Sequence, residues 1–220
     1  MPGLTDMAVN VNGSGAYWWY QRNLTLNEST CQVARLHVSR AMYGSHVYIN
    51  GQNVGEFWPS YTPSSYDVRR YINFRGVNTF TIRVGEFSVL PKTVLSGQDF
   101  EKKTYIPGLF DSVSLVLCNN PLIDTVQTNP HLDGTLDVRI GLQNDGTQAY
   151  HGPVELTIKR LSDGRVVASA NVIASVAASG TCEVDASLKI PNCRLWTPED
   201  PFLYSLTTRT TGDERTDRCS

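Results

Sequence analysis

The chain has 220 residues, a net charge of -2, 40% hydrophobic and 18% charged side chains, the balance of a globular protein rather than a disordered one. Lysines and arginines are scattered, which argues against a nucleic-acid partner. No apolar run approaches the roughly 20 residues a membrane helix needs, and the opening MPGLTDMAV lacks the basic and apolar regions of an export leader, so no membrane association is expected. The compartment stays open: cytoplasmic, periplasmic or secreted.

Residues 1–14 are small and polar and read as a loop or a frayed end. Tyr17-Trp18-Trp19-Tyr20 follows; successive strand residues point to opposite faces, so about two of these rings enter a core and the others lie on a surface. Val33–Ser39 alternates as a half-buried antiparallel strand. Val47-Tyr48-Ile49 alternates too and runs into Asn50-Gly51, residues that tolerate the positive backbone angles of a two-residue hairpin turn. Phe57, Trp58 and Tyr61 come next, and alternation returns at Thr79–Val84.

A long segment without pattern spans Gly85–Lys103; loops of that length in compact domains are usually functional or interfacial. Asn119-Asn120-Pro121 is a turn cluster and the natural domain boundary. Beyond it, Thr135–Leu142, Val154–Ile158 and Val166–Ala168 read as short strands. Asp145-Gly146 and Asp163-Gly164 read as hairpin turns between them, the pattern of an immunoglobulin-like sandwich. In Leu195-Trp196-Thr197-Pro198-Glu199-Asp200-Pro201-Phe202-Leu203-Tyr204 two prolines predict a rigid corner, with Trp196, Leu203 and Tyr204 placed to pack. The five cysteines show no C-x-x-C pair; buried reduced thiols are expected, with a Cys182 to Cys193 bridge as the alternative.

Five stretches, forming three motifs along the chain, together resemble glycoside hydrolase family 2, the β-galactosidase, β-glucuronidase and β-mannosidase family. Val47–Gly55 is similar to its V-Y-x-N-G-x-x-V-G hairpin. Ser60–Val68 is similar to its G-Y-T-P-F-x-F-D-I/V segment, with Ser60 in place of Gly and Ser64 and Tyr66 in place of Phe; Gly76–Val84 is similar to its G-x-N-x-L-x-V-x-V strand. Pro107–Leu115 resembles the family's G-I-W/F-R/D-x-V-x-L signature, with Asp111 where many members have Arg, and Leu195–Tyr204 resembles its L-W-S-P-E-x-P-x-L-Y segment. The resemblance implies an all-β chain: a jelly-roll, galactose-binding-like sandwich over residues 1–119, then an immunoglobulin-like β-sandwich over 120–220.

It also implies a place in an enzyme. Members are retaining glycosidases whose two catalytic carboxyl groups, about 5 to 5.5 Å apart, sit in a TIM barrel of about 250 residues C-terminal to two such domains. No strand-helix repeat of that kind occurs in this sequence, so no catalytic residue is nominated, and the chain alone is expected to be inactive. No cofactor and no metal site are expected, because no phosphate loop and no ligand-like Cys/His spacing is present.

The expected partners are a carbohydrate, specifically a β-glycoside, and the missing C-terminal TIM barrel; the oligomeric state stays open, a homo-oligomer included. In β-galactosidase-like relatives the first domain lends a carboxylate to the rim of the substrate pocket. Here that implies Asp99, with Glu101 as the alternative register, and Asn12 as an accompanying amide. Trp58 is a further substrate-binding candidate, a flat ring for the C–H face of a sugar. Two rival readings are a free-standing carbohydrate-binding module and a structural or adhesive pair of sandwiches.

Overall fold

The computed structural model describes residues 17–27, 31–85, 89–94 and 107–219. The chain divides into two units, Met1–Leu117 and Cys118–Ser220. Strands dominate both, and no α-helix occurs among the described residues.

The first unit contains β1 (Tyr17–Asn27), β2 (Val33–Val38), β3 (Ala41–Met42), β4 (Ser45–Ile49), β5 (Gln52–Phe57), β6 (Ser64–Asp67), β7 (Arg75–Gly85), β8 (Gly108–Leu109) and β9 (Val113–Cys118). One sheet has the order β1-β7-β4-β5 and another β6-β2-β9, while β3 and β8 form a short ribbon. Alternation makes this a sandwich: Val47, Ile49, Phe80, Ile82 and Val84 of the first sheet join Ala34, Leu36, Val38 and Tyr66 of the second in one core. Of the four consecutive aromatics, Trp18 and Tyr20 are half-buried while Tyr17 and Trp19 are exposed, as strand geometry requires.

Asn50 and Gly51 have φ of 52° and 79° and join β4 to β5, so the two-residue turn forms where its residues predict it. The Asn50 side chain also accepts from the Thr79 N–H (2.9 Å) and donates to the Tyr71 carbonyl (2.9 Å) and to Asn78 Oδ1 (3.0 Å). Asn78, 0% exposed, accepts from the Asn73 N–H (2.6 Å) and donates to the carbonyls of Asn73 (2.8 Å) and Gly76 (3.2 Å). Two parts of the family pattern, the N-G turn and the G-x-N strand, therefore co-occur because their asparagines bond each other.

The departures from the usual phenylalanines are also coupled. Tyr66 is buried, and its hydroxyl sits 2.8 Å from Ser45 Oγ and donates to the Ser45 carbonyl at 3.1 Å. Ser45 Oγ lies 3.5 Å from Ser64 Oγ. A phenol enters the core here beside two small hydroxyl side chains that keep it hydrogen-bonded.

The second unit contains β10 (Leu122–Pro130), β11 (Thr135–Asn144), β12 (Tyr150–Arg160), β13 (Val166–Val176), β14 (Gly180–Lys189), β15 (Tyr204–Arg209) and β16 (Glu214–Cys219). Its sheets run β10-β11-β14 and β13-β12-β15-β16, an immunoglobulin-like arrangement of three strands against four. Leu136, Val138, Ile140 and Leu142 meet Val154, Leu156, Ile158 and Leu206 between them.

Two expectations need correction in this unit, and one alternative falls away. Asp145-Gly146 does not turn a hairpin: β11 and β12 lie in different sheets, and Asn144 braces the link by donating to the carbonyls of Gln148 (2.7 Å) and Ala177 (3.2 Å). Asp163-Gly164 does lie in a hairpin loop, between β12 and β13. Trp196 does not pack into a core; it is 48% exposed, and the corner is instead held by Arg194, whose guanidinium pairs with Asp200 (2.5 and 2.6 Å) and covers the Phe202 ring at 4.7 Å. Cys31, Cys118 and Cys219 are buried and Cys182 and Cys193 only half-buried, and the Cys182 to Cys193 bridge, the alternative reading, is not formed.

Candidate functional site

Strand pairing in the first unit assembles an outward-facing row that no single stretch of sequence contains. Trp19 lies opposite Arg83, Arg83 opposite His46, and His46 opposite Glu56, so four strands contribute one residue each. The next row on the same face is Gln21, Thr81, Tyr48 and Asn53. The residues between them on the strands, such as Ile82 and Val47, fill the core, which commits these rows to the solvent side.

The row is tied together electrostatically. The Arg83 guanidinium hydrogen-bonds His46 Nδ1, lies 4.3 Å from the centroid of the Tyr17 ring and 5.9 Å from that of Trp19. His46 Nε2 is 3.0 Å from Glu56 Oε2. Burial first, and then the Arg83 charge, push the His46 pKa down, while Glu56 pulls it up. A neutral imidazole satisfies both neighbours with one tautomer: Nδ1 accepts from Arg83 and the Nε2–H donates to Glu56.

Rings line this face. Trp19 and Tyr48 have centroids 5.7 Å apart, Tyr48 and His46 5.5 Å, and His46 meets Trp58 edge-on at 6.2 Å. Trp58 is half-buried. It packs on Gly44, where φ is +69° and a Cβ would come within 3.3 Å of the indole and 3.0 Å of the Phe57 carbonyl. Trp19, by contrast, is 58% exposed, the most exposed aromatic ring among the described residues.

Of the residues nominated from sequence, Asp99, its alternative Glu101, and Asn12 lie outside the described residues. Trp58 is described and stands at the end of the ring series. Sequence reasoning missed Arg83, His46 and Glu56. A signal for Trp19 and Arg83 existed, because both occupy the polar phase of alternating strands; the pairing of β4 with β7, 37 residues apart, could not be read.

The second unit offers a pocket of about 230 Å³ lined by His131, Leu132, Cys193, Trp196, Tyr204 and Cys219. Its chemistry is quiet. Burial, followed by the charges of Asp217 and Cys193, pushes the Cys219 thiol up, which keeps it protonated and unreactive. Nearby, Asp133 is held well below the usual carboxylate range by hydrogen bonds from Lys189 and Thr135, and Asp137 is lowered by Ser187 and His131. A glycosidase acid needs a shift in the opposite direction. Among the described residues no group of three or more His, Cys, Asp or Glu gathers as a metal site would require.

Comparison with known proteins gives the family. The family model described as glycosyl hydrolases family 2, sugar binding domain, matches residues 4–119, and that described as glycosyl hydrolases family 2 matches residues 122–220. A β-galactosidase large subunit of Leuconostoc lactis is 30% identical over 172 residues, covering 77% of this chain and 25% of that protein. A β-galactosidase of Thermoanaerobacter pseudethanolicus is 23% identical over 197 residues, 87% of this chain and 25% of its own length. The chain thus spans about a quarter of the length of these relatives.

Among solved structures, a β-glucuronidase of Bacteroides uniformis superposes with a TM-score of 0.72 at 24% identity, over 93% of this chain and 26% of that one. A β-galacturonidase of Eisenbergiella tayi superposes with a TM-score of 0.73 at 20% identity, over 93% and 35%. These likenesses establish the fold, and the two family matches, in order and covering nearly every residue, establish more: the chain belongs to glycoside hydrolase family 2, as its sugar-binding and immunoglobulin-like portion.

Proposed function

We propose that this chain is the N-terminal, non-catalytic part of an enzyme that hydrolyses β-galactosides or related β-glycosides, and that it buttresses a C-terminal barrel and completes the rim of its substrate pocket. The observation that carries this reading is the ordered pair of family matches on a chain spanning a quarter of its relatives. The domain boundary belongs at residues 119/120, between the two matched segments. Asp99 is the carboxylate that accepts hydrogen bonds from neighbouring sugar hydroxyls, Asn12 supplies an amide beside it, and Trp58 offers a ring to the sugar's apolar face.

Retaining hydrolysis requires two carboxyl groups at close separation on either side of the glycosidic bond, and this portion positions the substrate for them rather than supplying them. The test is kinetic. The pure 220-residue chain should not release nitrophenol from nitrophenyl β-galactoside above a blank. In a protein that carries this portion together with a catalytic barrel, Asp99→Asn should raise KM by about tenfold, the loss of one charge-assisted hydrogen bond. Turnover by the 220-residue chain alone, or an unchanged KM in Asp99→Asn, would overturn the proposal.

A further inference from the structure

The exposed Trp19 ring is unusual because everything around it is fixed. Arg83 is held by His46 and by the Tyr17 face, His46 is held by Glu56, and Tyr48 flanks the indole. A ring held in this way loses little freedom when a ligand lands on it, which favours binding. Beside it run groups that match hydroxyls. Gln21 Nε2 donates to Thr81 Oγ1 (3.3 Å) and Thr79 Oγ1 donates to Asn23 Oδ1 (2.9 Å), a ribbon of amides and hydroxyls along β1 and β7. At the far end Glu56, with its side chain 45% exposed, offers a carboxylate oxygen beyond the one bound to His46.

We propose that this face of the β1-β7-β4-β5 sheet is a carbohydrate-binding surface for an uncharged, β-linked hexopyranose chain, with one sugar ring stacked on Trp19. Rings interspersed with polar groups, Trp19 and Tyr48 beside Gln21, Thr81 and Asn53, suit a sugar, whose pyranose ring has an apolar C–H face and a rim of hydroxyls. The Arg83 and Glu56 charges cancel across the neutral His46, so the face has no preference for an acidic sugar. The inference names Trp19 as the stacking residue, where sequence pointed to Trp58. It goes beyond the proposed function, because it needs neither a barrel nor Asp99.

The experiment is a nuclear magnetic resonance titration of the 15N-labelled 220-residue chain with β-1,4-galactotetraose and, separately, with cellotetraose. At least one sugar should move the Trp19 indole N–H together with the amides of Tyr48, Glu56 and Arg83, with saturation. Trp19→Ala should weaken that binding by about tenfold or more, as loss of a central aromatic anchor does. Glu56→Gln should weaken it less and serves as the second variant; a native spectrum in each reports folding. Absence of shifts with both sugars, shifts confined to other residues, or full affinity in Trp19→Ala would overturn the inference. None of these results bears on hydrolysis, so failure here leaves the enzymatic reading standing.

Discussion

The asparagine lock of the first unit and the proline corner of the second are both short strings that stand out in the sequence, yet they hold their structure in opposite ways. Asn50 and Asn78 bond each other and backbone groups around a wholly buried amide. The corner at 195–203 is open to water, with Trp196 turned outward and an exposed Arg194–Asp200 pair as its clamp. The difference lies in what replaces a lost bond. Water can re-solvate the corner freely, whereas the backbone groups that Asn78 bonds are part-buried and regain water less completely.

Asn78→Ala should therefore show the largest effect. It removes the partner of the part-buried Asn73 N–H and C=O and of the Gly76 C=O, and should cost about 2 kcal/mol in urea unfolding followed by tryptophan emission, within the range of about 1–3 kcal/mol for groups that lose their partners. A loss below about 1 kcal/mol would remove the contrast with the corner.

Tyr66→Phe comes next, at about 1 kcal/mol for one buried neutral hydrogen bond. It also carries a pH signature. Burial, ahead of the opposing hydrogen bonds from Ser45 and Ser64, raises the Tyr66 pKa. The folded state then holds a proton that the unfolded chain gives up, so stability is full below the ordinary phenol value of about 10 and falls as pH rises above it. In Tyr66→Phe that alkaline loss should be smaller than in the parent.

Arg194→Ala should cost only about 0.5 kcal/mol, because both partners are more than a third exposed. Its sharper readout is faster amide exchange in residues 195–203 with little change in global unfolding. The smallest effect belongs to His46. Its lowered pKa means that the folded state resists protonation, so stability is full above the unfolded value of about 6.5 and declines as pH falls below it. His46→Gln should flatten that decline between the histidine and carboxylate ranges, an effect read in the difference between the two profiles.

How much of this was legible depends on whether the information was local. The Asn50-Gly51 turn and the alternation of β7 could be read because backbone angle and side-chain phase are properties of neighbours. Asp145-Gly146 looked like the same signal and was not, because the next strand, β12, belongs to another sheet, and the pairing of β11 with β14 rather than β12 is decided across the core. The row of Trp19, Arg83, His46 and Glu56 was invisible for a similar reason: each residue is an ordinary outward strand position, and only the register of four strands makes them adjacent. Arg194 was overlooked because it precedes the recognised corner segment by one residue, while its partners Asp200 and Phe202 lie inside it.

The hydrogen bond between Asn50 and Asn78 spans 28 positions and closes the intervening chain into a loop. Closure entropy grows only with the logarithm of length, so doubling such a loop would cost about 0.6 kcal/mol. The exposed residues Pro59, Thr62 and Pro63 offer a point inside it where extra chain can leave and return without touching β4 or β7. New surface can therefore be grafted at that point, an insertion port whose two ends are already stapled shut by a pair of amides.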